Sequence, residues 1–165
     1  MNSRALLAVL LLTGTPLAVH ADDVVRRASA GFPISSSVTV PGGSEIVFLS
    51  GMLADAADTM APAGSIERLG DTATQTKSVL GKIQKELEAT GLGMQDVVKM
   101  NVYLVGDPRL DNRMDFEGLM KGYLQFFGTE NQPNVPARTT VQVAGLPMPG
   151  ALVEIEVVAA RQGRR

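Results

Sequence analysis

Cysteine and tryptophan are absent from this 165-residue chain, and histidine occurs once, at position 20. Without cysteine there can be no disulfide, thiol redox centre, cysteine nucleophile or lipoprotein anchor. The lone His20 falls in a segment built like a secretory signal. Arg4 gives a positive start, Ala5 to Leu12 is unbroken apolar sequence, and small residues follow at Ala18-Val19-His20-Ala21. Cleavage after Ala21 is expected, and it would remove the histidine. A mature chain of this kind cannot form a Ser-His-Asp or Cys-His nucleophile, nor a zinc site with His or Cys ligands. The apolar run is shorter than the ~20 residues that a membrane-spanning helix needs, so the expected product is periplasmic or secreted, with no membrane attachment after cleavage.

A large excess of charge is missing too. The 15 Lys+Arg against 17 Asp+Glu give a net charge of −2, which does not favour a nucleic-acid partner. Residues 22–31 are polar and charged and read as a loose leader, leaving residues 32–162 as one domain of ordinary apolar content.

Within that domain the pattern alternates between the two regular periods. Ile34–Val40 and Glu45–Ser50 are β-type runs separated by Pro41-Gly42-Gly43-Ser44, which predicts a hairpin. Ala54–Gly70 has no period and reads as a surface loop. Asp71 is a candidate N-cap for a helix with Ala73, Thr76, Leu80, Ile83 and Leu87 on one face, stopped near Gly91. Val97–Val105 alternates as a third strand. A second helix is predicted over Asp115–Phe127, with Phe116, Leu119, Tyr123 and Phe126 as its stripe and Gly128 beyond it. Ala137–Val143 and Leu152–Ala160 complete the order ββαβαββ. The fold class is α+β, with one mixed sheet and both helices on one face.

Strand alternation separates polar from apolar sets. Lys99, Asn101 and Tyr103 form one set, Arg138, Thr140 and Gln142 another, and Glu154 and Glu156 a third. All are expected on the sheet face away from the helices. That face is either an ordinary solvated surface or the place where other subunits meet. Away from water, Glu154 and Glu156 would repel each other and would need a partner such as Arg138.

Pro136-Ala137-Arg138-Thr139-Thr140-Val141-Gln142-Val143, then Leu146-Pro147 and Leu152-Val153-Glu154-Ile155-Glu156, resemble the closing signature of the RidA (YjgF-like) family. Phe48-Leu49-Ser50-Gly51, Gly70-Asp71 and Asp96-Val97-Val98-Lys99 extend the resemblance over about Phe32 to Ala160. It implies a chorismate-mutase-like fold and a homotrimer with sites in clefts between subunits. It also implies hydrolysis of 2-imino acids, or enamine tautomers such as 2-aminoacrylate, to 2-keto acids and ammonia, with no metal and no organic cofactor. By position, Arg138 matches the arginine that grips the substrate carboxylate, and Glu154 the glutamate that positions water and moves protons. Ser50 and Gly51 match a substrate-contacting loop, and Thr140 stands where many members carry cysteine. Two positions depart from the pattern. Ile34 follows Pro33 where a tyrosine is common, and Met120 replaces an asparagine three residues before Tyr123. Both make the expected pocket more apolar. Other functions open to such a chain are a non-catalytic small-carboxylate-binding module, a holdase chaperone and an endoribonuclease.

Overall fold

The computed structural model describes residues 23–162, so the expected signal segment lies outside the described residues. Six strands form one mixed sheet in the order β1-β2-β5-β4-β6-β3. They are β1 (Val25–Ala28), β2 (Ser35–Thr39), β3 (Glu45–Leu53), β4 (Val97–Val105), β5 (Ala137–Val143) and β6 (Val153–Arg161). A single helical turn, α1 (Ile66–Leu69), lies in the expected loop, followed by α2 (Thr72–Ala89) and α3 (Phe116–Tyr123).

The long helix begins as expected, with the Asp71 carboxylate accepting the Thr74 N–H at 2.8 Å. Val79, Leu80, Ile83 and Leu87 are fully buried from α2, and they meet Met100, Val102, Leu104, Val153 and Ile155 from the two central strands. Helix α3 crosses close to α2 because Gly122 has no side chain: a Cβ there would lie 2.6 Å from that of Thr76. It ends earlier than the apolar stripe suggested, at Tyr123. Just beyond its end the Phe127 N–H still donates to the Tyr123 carbonyl, and Phe127 takes the buried place, stacked on Tyr123 at 4.9 Å, while Phe126 is only partly buried against the core.

Gln75 is one of the polar side chains buried with this core. Its Nε2 donates to the Gly70 and Gly150 carbonyls and its Oε1 accepts the Leu152 N–H at 2.8 Å, tying α2 to the start of β6. Gln75→Leu is expected to cost about 3 kcal/mol in a denaturant titration, because a buried N–H and two carbonyls lose their partners.

Two expectations about strands are corrected. The leader is not loose throughout: β1 pairs antiparallel with β2, and Arg26 Nη2 donates to the Gln95 carbonyl at 2.9 Å. Its charge disguised it, since two adjacent arginines suit an edge strand that has little to bury. The hairpin also does not form. Ser44 closes a local turn onto the Pro41 carbonyl, but β3 then runs to the far edge and pairs antiparallel with β6. β2 instead joins β5 in parallel. The apolar face of β3 decides this: Val47, Leu49 and Met52 pack against the core, whereas the serine-rich β2 has little to contribute there.

Candidate active site

The register of the central strands sorts the site residues onto two faces. Met100, Val102 and Leu104 of β4 point into the helical layer and are buried. They pair side by side with Arg138, Thr140 and Gln142 of β5, and side-by-side partners in a sheet share a face. Arg138 and Thr140 therefore face the helices, opposite to the expected placement. Alternation correctly separates the two sets of β5, but only pairing with β4 says which set goes where.

On the helix side α3 builds a cradle for Arg138. Phe116, Met120 and Tyr123 recur at helical spacing on one stripe of α3. The guanidinium carbon sits 4.5 Å from the Tyr123 ring centre and 5.7 Å from that of Phe116. Both terminal nitrogens of Arg138 reach the Met120 thioether sulfur at 3.4 Å. Burial lowers the Arg138 pKa from its ordinary value, with the Tyr123 hydroxyl opposing the shift. Burial likewise pushes the Tyr123 hydroxyl up, and Arg138 opposes that. The Tyr123 hydroxyl is engaged elsewhere, donating to the Pro33 carbonyl at 3.0 Å. One step along β5, the Thr140 hydroxyl is buried without a hydrogen-bond partner.

The other face carries the carboxylates. Glu154 pairs with Tyr103 of β4 and with Leu53 of β3, and Glu156 pairs with Asn101. Glu156 is satisfied locally, accepting from Asn101 Nδ2 at 2.8 Å and from the Tyr103 hydroxyl at 3.0 Å. That second bond raises the Tyr103 pKa. A bulge in β3 between Leu49 and Met52 places Ser50 and Gly51 at the edge of this face. Gly51 abuts the Glu154 carboxylate so closely that a Cβ would collide with it. Gly51→Ala is expected to displace the Glu154 side chain, while the unfolding free energy changes by less than about 1 kcal/mol at this exposed position. A structure of the variant and its thermal melt would check the two halves.

Six of the seven expected site residues thus fall into two groups: Arg138, Met120 and Thr140 under the helices, and Glu154, Ser50 and Gly51 on the open face. Ile34 is half-buried just ahead of β2. Its backbone accepts the Ser29 N–H and donates to the Phe32 carbonyl, next to the Pro33 carbonyl that receives the Tyr123 hydroxyl. The sequence reading missed Phe116 and Tyr123 as the platform for Arg138, assigning both to core packing. Their spacing relative to Met120 was the available signal.

None of the ion pairs among the described residues includes Arg138 or Glu154. A half-buried cation held only by aromatic faces and a thioether lacks the anionic partner such a group normally has. Its planar fork is shaped for a carboxylate, which would displace the weakly accepting sulfur. The open face shows a different shortage. Phe48 is 76% exposed, Ile46 50% and Val141 41%, so apolar side chains flank the polar rows there.

The family model for Endoribonuclease L-PSP matches residues 30–161. A RutC family protein of Pyrococcus horikoshii is 37% identical over 93 residues, covering 56% of this chain and 65% of that protein. The 2-iminobutanoate/2-iminopropanoate deaminase of Escherichia coli is 35% identical over 92 residues, covering 56% of this chain and 66% of the enzyme. The chain thus aligns with about two thirds of the length of either relative. The crystal structure of Escherichia coli TdcF with bound serine is 32% identical, with a TM-score of 0.55 over 74% of this chain and 84% of TdcF.

Proposed function

The chain belongs to the RidA (YjgF-like) family, which the Endoribonuclease L-PSP model describes, and from that premise we propose that it hydrolyses 2-imino acids to 2-keto acids and ammonia. The observation that carries the reading is Arg138: half-buried, cradled by Phe116, Met120 and Tyr123, and without a carboxylate partner among the described residues. The likeness to a named imine deaminase and to a relative that binds an amino acid points the same way.

The chemistry asks little of the protein beyond placement. Arg138 takes the substrate carboxylate in two parallel hydrogen bonds. The Thr140 hydroxyl, buried and unpartnered beside it, has a polar substrate atom to meet. Glu154 accepts a proton from a water as that water's oxygen bonds to the imine carbon, and returns a proton to the nitrogen. Glu154 then takes the remaining hydroxyl proton as the carbon–nitrogen bond breaks and passes it to the departing ammonia, so that a protonated imine and one water give a keto acid and an ammonium ion.

Arg138 and Glu154 lie on opposite faces of one sheet. A single subunit does not offer both to one substrate, which supports a site built from Arg138 of one copy and Glu154 of a neighbour in a homotrimer. The exposed Phe48, Ile46 and Val141 support contact between copies over the open face. Export to the periplasm or beyond is part of the same proposal, on the strength of the segment at residues 1–21.

The same separation of faces favours one second reading, a carboxylate-binding module. A chain that did not assemble would hold a carboxylate at Arg138 without turning it over. Ammonia release from imines made in situ by an amino-acid oxidase decides between them. Acceleration by the purified protein supports the deaminase, and binding without acceleration supports the module.

A further inference from the structure

Arg138, Thr140 and Gln142 lie in a row on the helix side of β5. Four residues of strand span about 13 Å. At the Gln142 end the row opens into a cleft of about 540 Å³ lined by Leu110, Met114, Phe116 and Gln142, among others. Phe116 joins the two regions, since its ring is both a wall of the cleft and part of the Arg138 cradle.

Most of the polar residues around this cleft have a partner within the protein. Gln142 accepts the Met114 N–H at 2.8 Å and donates to the Asn112 carbonyl at 2.9 Å. Asp115 caps α3 through the Gly118 N–H, and Glu117 pairs with Lys121. Arg113 turns back to the Leu110 carbonyl. Leu110 and Met114 nevertheless remain substantially exposed. The cleft therefore has a charged and polar rim, with an apolar part made by two flexible side chains, Leu110 and Met114, and the Phe116 ring.

We infer that this cleft receives the side chain of the substrate, and that the substrates are 2-imino acids with large apolar side chains. The inference rests on the deaminase reading. A carboxylate held at Arg138 leaves the imine carbon near Thr140 and directs the side chain towards Phe116, Met114 and Leu110. A leucine-, methionine- or phenylalanine-sized group fills part of that space with apolar surface. A methyl group leaves it to water, and each buried CH₂ favours the larger substrate. The thioether of Met120 continues the same lining beside the guanidinium.

The test uses the purified protein and imines generated by an amino-acid oxidase from leucine, methionine, phenylalanine and alanine. The expected result is a kcat/KM about ten-fold or more higher for the three large apolar imines than for the alanine-derived one. In Met114→Ser that ratio falls several-fold, because a polar group replaces part of the lining. A preference for the alanine-derived imine, or a ratio unmoved by Met114→Ser, overturns the inference and leaves the deaminase intact. No acceleration with any of the four overturns the deaminase reading, and this inference with it.

Discussion

Replacing Arg138 by alanine is expected to lower kcat/KM for imine hydrolysis by about 10²–10⁴. Two charge-assisted hydrogen bonds to the substrate carboxylate are lost, at about 1.5–3 kcal/mol each, and each 1.36 kcal/mol is roughly a factor of ten in rate. Arg138→Lys does not restore the activity, because a single ammonium cannot reproduce the planar fork that Tyr123 and Met120 orient. The fold should tolerate the change well. Arg138 forms no ion pair among the described residues, so its removal relieves a desolvated charge rather than breaking a structural pair. Unfolding curves run beside the kinetics separate the two effects. A variant equally inactive but strongly destabilised would mean that Arg138 is a structural group after all.

Glu154→Gln is the second large effect. The amide keeps the size of the side chain beside Gly51 and Tyr103, but it cannot accept a proton from water. Turnover is expected to fall by about 10²–10⁴ in kcat, the usual worth of a placed acid–base group, with KM little changed because the carboxylate grip at Arg138 is intact. Glu156→Gln provides the contrast. Glu156 already accepts from Asn101 and Tyr103, and the smaller loss expected from it would distinguish the two glutamates of one strand.

Much of the fold was legible because its signals are local. Asp71 as an N-cap, Thr76, Leu80, Ile83 and Leu87 on the buried stripe of α2, the alternation of Val97–Val105 and the whole of Ala137–Val143 stand where the sequence puts them. What was not legible is decided between distant segments. The turn at Pro41–Ser44 is real, yet it says nothing about whether β3 prefers β2 or β6; the apolar residues of β3 settle that against α2 and the core. The faces of β5 were wrong for a related reason. Its row of Arg138, Thr140 and Gln142 is more polar than Thr139, Val141 and Val143, and hydrophobicity alone sends the polar row outward. It points inward because α3 supplies Phe116, Met120 and Tyr123 to receive Arg138. Breaks in hydrophobic patterning of this kind are expected at functional sites, where local preference yields to chemistry. The expected site residues came from resemblance, and their division between two faces was not readable in the sequence.

That division makes the most direct measurement a complementation. Arg138→Ala and Glu154→Gln chains, each nearly inactive alone, would be co-expressed in equal amounts and purified as mixed trimers. If the proposed trimer holds, every mixed trimer has one of its three clefts with an intact Arg138 from one subunit and an intact Glu154 from the next, so about a third of the clefts are whole. Recovery to about that fraction of wild-type turnover is the predicted result. Mixed trimers that stay as inactive as either variant alone would contradict a site shared between subunits.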